Sequence, residues 1–148
     1  MAIPEITPEQ AKTRLDSGQG YVYLDVRTVP EFNNGRPPGA LNIPVAEPNP
    51  VLGQMELNPK FMALVEATFS KDSRILVGCK TGGRSAKATE MMLKAGYKDV
   101  VSVDGGFMGI TDDKGDVVKE GWSTLGYPVE RGEAGERGYA AISRKHAR

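Results

Sequence analysis

Three short runs rich in β-branched and aromatic residues, Tyr21–Asp25, Ile75–Gly78 and Val100–Val103, are separated along the chain by stretches that carry helix-start signals. This spacing limits the fold more than any other feature. Strands divided by helices lie side by side in parallel, and the helices cover the two faces of the sheet they form. Thr7-Pro8-Glu9-Gln10 joins a capping box to a proline at the first helical position, and the helix it opens stops at Ser17-Gly18. Thr28-Val29-Pro30-Glu31 repeats the device for a short helix ending at Asn34-Gly35. Phe61, Leu64, Val65 and Thr68 share one face of a helix over 59–69. Ala88, Met91, Met92 and Ala95 share one face of a second, over 86–95, that ends before Gly96. A short strand is expected over Ala40 to Ile43. Residues 44–57, with three prolines and no sustained period, are expected to form the longest irregular connection.

A chain of 148 residues with 39% apolar side chains can bury one sizeable core, so a single domain over residues 1–130 is expected. The Gly-, Arg-, Lys- and Glu-rich stretch 131–148 is expected to be a flexible tail, which sets aside a catalytic role for His146. Nineteen basic residues balance nineteen acidic ones, so bulk charge gives no reason to expect nucleic acid as a partner. One cysteine excludes an internal disulfide, and one distal histidine leaves no Cys/His cluster for a metal. No leader-like stretch follows Met1 and no apolar run approaches a membrane span, so a cytoplasmic protein without membrane attachment is expected.

That single cysteine, Cys79, stands where the apolar run Ile75-Leu76-Val77-Gly78 gives way to Lys80-Thr81-Gly82-Gly83-Arg84-Ser85 and then to a helix. The loop therefore joins the C-terminal end of a strand to a helix N-terminus, where ligands collect in parallel sheets. Gly82 and Gly83 permit backbone angles closed to other residues, so the peptide N–H groups of residues 80–85 can curl around the sulfur. Such a ring, with the helix dipole behind it and two cations beside it, favours a thiolate, which is the nucleophilic form of cysteine. The reading requires amides that turn inward and a sulfur that solvent can reach. Its bland alternative is a buried packing cysteine.

The count from cysteine to arginine narrows the chemistry. A phosphate-hydrolysing loop of the Cys-x5-Arg type wraps a tetrahedral phosphoryl group, and here the loop is one residue shorter, with only Lys80, Thr81, Gly82 and Gly83 intervening. A smaller ring suits a sulfur atom carried on the cysteine as a persulfide.

On these residues the chain resembles the rhodanese (sulfurtransferase) family, and within it the single-domain members. Cys79, Gly82 and Arg84 match the family's Cys-x-x-Gly-x-Arg pattern, with Ser85 following at the expected helix start. Tyr23-Leu24-Asp25-Val26-Arg27 with Glu31-Phe32, then Pro38-Gly39-Ala40-Leu41-Asn42-Ile43-Pro44, match two upstream signatures. Gly96-Tyr97 and Val103-Asp104-Gly105-Gly106-Phe107 match a downstream one, so the similarity covers about residues 5 to 130. Asn58-Pro59-Lys60-Phe61 together with Gly82-Gly83-Arg84-Ser85 is similar to the small plant senescence-associated sulfurtransferases. Two departures stand out. Arg36-Pro37 replaces a stretch that commonly holds a histidine, read as structural. Ile110 replaces a tryptophan, and an insertion over about 111–120 precedes Trp122, which either fills the vacated space or anchors the insertion.

The resemblance implies an α/β, rhodanese-like fold with a mainly parallel sheet of about five strands and helices on both faces. It implies a double displacement without cofactor, in which Cys79 takes sulfur from a donor such as thiosulfate and passes it from a persulfide to cyanide or a thiol. Lys80 either faces the entrance and attracts anionic donors or is simply solvated. Thr81 is expected to contribute its backbone N–H. Arg84 either braces the loop or binds a sulfonate bidentately, with bracing weighed first. Ser85 is expected to cap the helix and secondarily to donate to sulfur. Asp25 supports the site, and Arg27 and Glu31, four apart, are assigned to each other as an ion pair. Two other classes stay open: a sulfur-relay module served by a thioredoxin-like or persulfide-carrying protein, and a phosphatase or arsenate reductase on the same fold. The 44–57 segment is expected near the site.

Overall fold

Strand β6, Arg74–Gly78, lies at the middle of a five-stranded sheet, and its last four residues are buried. A strand covered on both faces must be apolar at every position, which is why it reads as a continuous run and not as an alternation. The computed structural model describes residues 3–146. The sheet has the order β1-β7-β6-β2-β3, with β1 at Glu5–Ile6, β2 at Tyr21–Asp25, β3 at Leu41–Asn42 and β7 at Asp99–Val103, and every pairing is parallel.

Successive side chains of each strand point to opposite faces, and the two cores divide accordingly. Leu24, Ile75, Val77 and Val100 meet Phe61, Leu64 and Val65 of α3 (Phe61–Thr68), Ala88 and Met92 of α4 (Gly83–Lys94), and Ile142 of α5 (Tyr139–Lys145). Tyr23, Leu76, Val101 and Val103 meet Ala11 of α1 (Pro8–Asp16) and Phe32 of α2 (Val29–Asn34) on the other face. Each fully buried Val, Leu or Phe contributes about 1.5–3 kcal/mol relative to exposure, so the two cores together hold the loops at the sheet's edge in place. Both capping boxes form: Thr7 Oγ1 accepts from Gln10 N–H, and Thr28 N–H donates to Glu31 Oε1 at 3.1 Å.

The structure corrects three expectations and gives the insertion a form the sequence left open. Residues 44–57 are not wholly irregular, since β4 (Ala46–Pro48) and β5 (Met55–Leu57) form an antiparallel hairpin closed by Asn49, whose side chain accepts from the Val51 and Leu52 amides. The stretch expected to be a flexible tail carries a 3-10 turn at Gly135–Arg137 and then α5, whose Ile142 is buried in the core and whose Tyr139 hydroxyl accepts from Asn58 Nδ2; residues 147 and 148 of that stretch lie outside the described residues. Helix α4 begins at Gly83, three residues before the expected start. The insertion forms a second hairpin, β8 (Ile110–Thr111) with β9 (Val117–Lys119).

The two departures from the family pattern are also accounted for. Arg36 is buried, pairs with Glu130, and donates to the carbonyls of Phe32 and Gly132, so it ties the chain after β9 to α2. Trp122 is buried against Tyr23 and Tyr127 with its indole N–H on Pro128 O at 2.7 Å, so it packs onto the sheet and does not merely anchor the hairpin. Among the described residues no helix is long and apolar enough to cross a membrane.

Candidate active site

Strands β2 and β6 end together, with Asp25 directly across from Gly78, and the chain leaves β6 at Cys79. The turn into α4 needs Gly82 at φ +123°, a conformation side chains other than glycine's rarely adopt, and this residue is the helix N-cap. It brings the sequence Cys79–Ser85 into a closed loop around the sulfur. The Gly82 N–H donates to Cys79 Sγ at 3.1 Å and the Ser85 N–H at 3.3 Å. These two of the amides of residues 80–85 reach the sulfur, whereas the sequence reading placed the whole set around it. Their positive ends converge on Sγ from the first turn of α4, where the helix dipole adds in the same sense.

Ser85 is not the helix cap it was expected to be. It lies inside the first turn, fully buried, with its Oγ 3.4 Å from Cys79 Sγ, 3.0 Å from Gly82 O and 2.8 Å from Ser102 Oγ. The backbone behind the sulfur is braced by the Gly106 turn, from which Phe107 N–H donates to Cys79 O and Met108 N–H to Lys80 O.

Charge pairing also differs from expectation. Arg27 does not pair with Glu31; it turns back to Asp25, with Nη2 2.6 Å from Oδ2 and Nε within 3.1 Å of both oxygens, and it donates further to Gly35 O. Phe107 covers the guanidinium, 4.7 Å from its ring centre. Burial pushes the Asp25 carboxyl up from its ordinary value, and the hydrogen bonds from Arg27 pull against that push. Glu31 reaches Arg84, in a bidentate pair at 2.7 and 2.9 Å. That pair, together with the Thr28 cap, holds the Glu31 carboxyl down at about 2 and keeps the Arg84 guanidinium charged. Arg84 therefore braces the loop from α2, and both its terminal nitrogens are already engaged.

Cys79 is only 1% exposed, which corrects the expectation of an open sulfur. A cleft of about 210 Å³ reaches the next residue, Lys80, and is lined also by Arg27, Glu31, Asn34, Gly35, Phe107 and Met108; Cys79 itself does not line it. Lys80 is exposed at this cleft, and Thr81 and Gly83 are exposed on the outer side of the loop. The 44–57 hairpin contributes no residue to the cleft. Sequence reasoning gave no site role to Gly106, Phe107, Met108 or Ser102. The Gly-Gly-Phe motif was visible without its task, and the signal for Ser102 is a hydroxyl in the middle of a valine strand.

A family model described as Rhodanese-like domain matches residues 7–113. Thiosulfate sulfurtransferase 16, chloroplastic, of Arabidopsis thaliana is 43% identical over 88 residues, which are 60% of this chain and 72% of that protein. Senescence-associated protein DIN1 of Raphanus sativus is 35% identical over 112 residues, 76% of this chain and 60% of that protein. The crystal structure of Rv0390 from M. tuberculosis superposes with a TM-score of 0.73 at 27% identity, covering 89% of this chain and all of that one.

Proposed function

Because this chain belongs to the family of rhodanese-like domains, we propose that it is a sulfurtransferase that carries a sulfane sulfur on Cys79. The observation that carries this reading is the pair of amides directed at Cys79 Sγ, which favours negative charge on that sulfur. In the first displacement the Cys79 thiolate attacks the outer sulfur of thiosulfate; an S–S bond forms to Sγ, the bond to the sulfonate breaks, and sulfite leaves with its electron pair. In the second, cyanide or a thiolate attacks the terminal sulfur of the persulfide, and the Cys79 thiolate is regenerated. Lys80, exposed at the cleft, attracts the anionic donor, and Arg84, occupied by Glu31, keeps the loop closed. The sulfur lies below the surface, so the reading requires the loop to open toward the cleft lined by Lys80 and Met108 before a donor reaches Cys79.

The test is thiosulfate:cyanide transfer by the wild-type chain and by Cys79→Ser. The substitution is expected to abolish turnover. Turnover retained in the serine variant would refute the reading.

A sulfur-relay module with a persulfide-carrying protein as its partner is a second reading, supported by the apolar side chains of Met108, Ile110, Val117 and Val118, which stand exposed on and beside the hairpin that continues from the Gly106 turn. Slow turnover with thiosulfate but rapid exchange with a protein persulfide distinguishes it from the first.

A further inference from the structure

Ser102 stands in β7 between Val101 and Val103 and faces α4 with no solvent exposure. Its Oγ lies 2.8 Å from Ser85 Oγ, and among the described residues that is the only hydrogen bond its hydroxyl makes. A central strand position of this kind favours a β-branched apolar side chain, and a buried hydroxyl costs free energy unless it is bonded. The serine therefore needs a reason beyond packing, and Ser85 supplies one. Ser85 has one hydroxyl proton and three neighbours at hydrogen-bond distance: Gly82 O, Ser102 Oγ and Cys79 Sγ. Which of them receives the proton is set by what donates to the Ser85 oxygen.

We propose that Ser102 is a positioning residue for the sulfur of Cys79, acting through Ser85; this rests on reading Cys79 as the nucleophile. With a neutral thiol, Sγ–H donates to Ser85 Oγ, and Ser85 donates to Gly82 O. When the thiol proton leaves to a base in solution, no donor on sulfur remains, both hydroxyls keep their own protons, and that of Ser85 rotates from Gly82 O to the sulfur. Ser102, which donates to Ser85 Oγ in both states, holds that oxygen in place while Ser85 donates to the anionic Sγ. The bonds run one way from strand to sulfur, and each polarises the next. The Gly82 and Ser85 amides reach the sulfur from the loop, so the hydroxyl chain adds a donor that appears only when charge develops.

Iodoacetamide alkylation tests the chain directly, because Cys79 is the only cysteine and the reagent is uncharged. Ser102→Ala is expected to slow alkylation at neutral pH about five-fold, the effect of one net hydrogen bond. Ser102→Thr and Ser102→Val match each other in shape and differ in the hydroxyl, so a similar ratio is expected between them at equal thermal midpoints. Equal alkylation rates for the threonine and valine variants, or a parental rate in the alanine variant, overturn the proposal. So does a parent whose cysteine does not react. Thiosulfate:cyanide turnover, measured on the same samples, separates the two readings. A parent that alkylates with the expected contrast but transfers no sulfur leaves the positioning role standing and removes the sulfurtransferase reading.

Discussion

Glu31 carries two tasks with one carboxylate: it accepts from the Thr28 amide that opens α2, and it grips both terminal nitrogens of Arg84 on the loop 53 residues away. Its acidity follows from these partners. The folded carboxyl titrates at about 2 against an ordinary 4.5, so the stabilisation it gives is complete above about 4.5 and is lost as the pH falls through about 2. Glu31→Gln is expected to cost about 1 kcal/mol in urea unfolding, because the pair is only partly buried, and to remove part of the acid-side fall in stability between those two values. An unchanged acid limb in the variant would contradict the pairing. Sequence spacing paired Glu31 with Arg27 because the two are four apart. Arg27 instead turns to Asp25, two residues away at the strand end, where a buried guanidinium finds a carboxylate, a carbonyl and an aromatic face together.

At the level of elements, the Gly106 turn and the α4 loop form one unit. Gly106 has φ +58°, and a Cβ placed there would sit 2.4 Å from Cys79 O, so Gly106→Ala must displace backbone. A loss above about 2 kcal/mol is expected by chemical denaturation, with Cys79 alkylation changed in the same variant. Helix α5 makes a separate prediction: Ile142→Ala is expected to cost about 2–3 kcal/mol, measured the same way, and a neutral result would mean that the helix is not docked. These elements also show what was legible in the sequence. Strands β2, β6 and β7 announce themselves because burial on both faces demands continuous apolar residues, and α1 and α2 because their caps are written in adjacent positions. The β4–β5 hairpin was hidden because every residue of β5 is exposed, and α5 because seven residues with one buried side chain leave no period to read. The loop could be found from its spacing alone. Ser102, 17 residues beyond Ser85, could be placed behind the sulfur only by the pairing of β6 with β7 and the packing of α4 over them.

Taken as a whole, the molecule brings the ends of parallel strands to one edge, starts a helix there, and closes the turn between them around a single sulfur. Net charge is zero, so on the proposed function attraction for an anionic donor would come from local groups: Lys80 at the cleft and the amides at Cys79 Sγ. Cys79 is buried, so on the proposed function a donor would have to reach it from the cleft that Lys80, Phe107 and Met108 line. Intact mass spectrometry after exposure to thiosulfate tests this most directly. The wild-type chain is expected to gain the mass of one sulfur atom, removable by cyanide, and Cys79→Ser none; a wild-type mass that stays unchanged, or a serine variant that takes up the same increment, would contradict it.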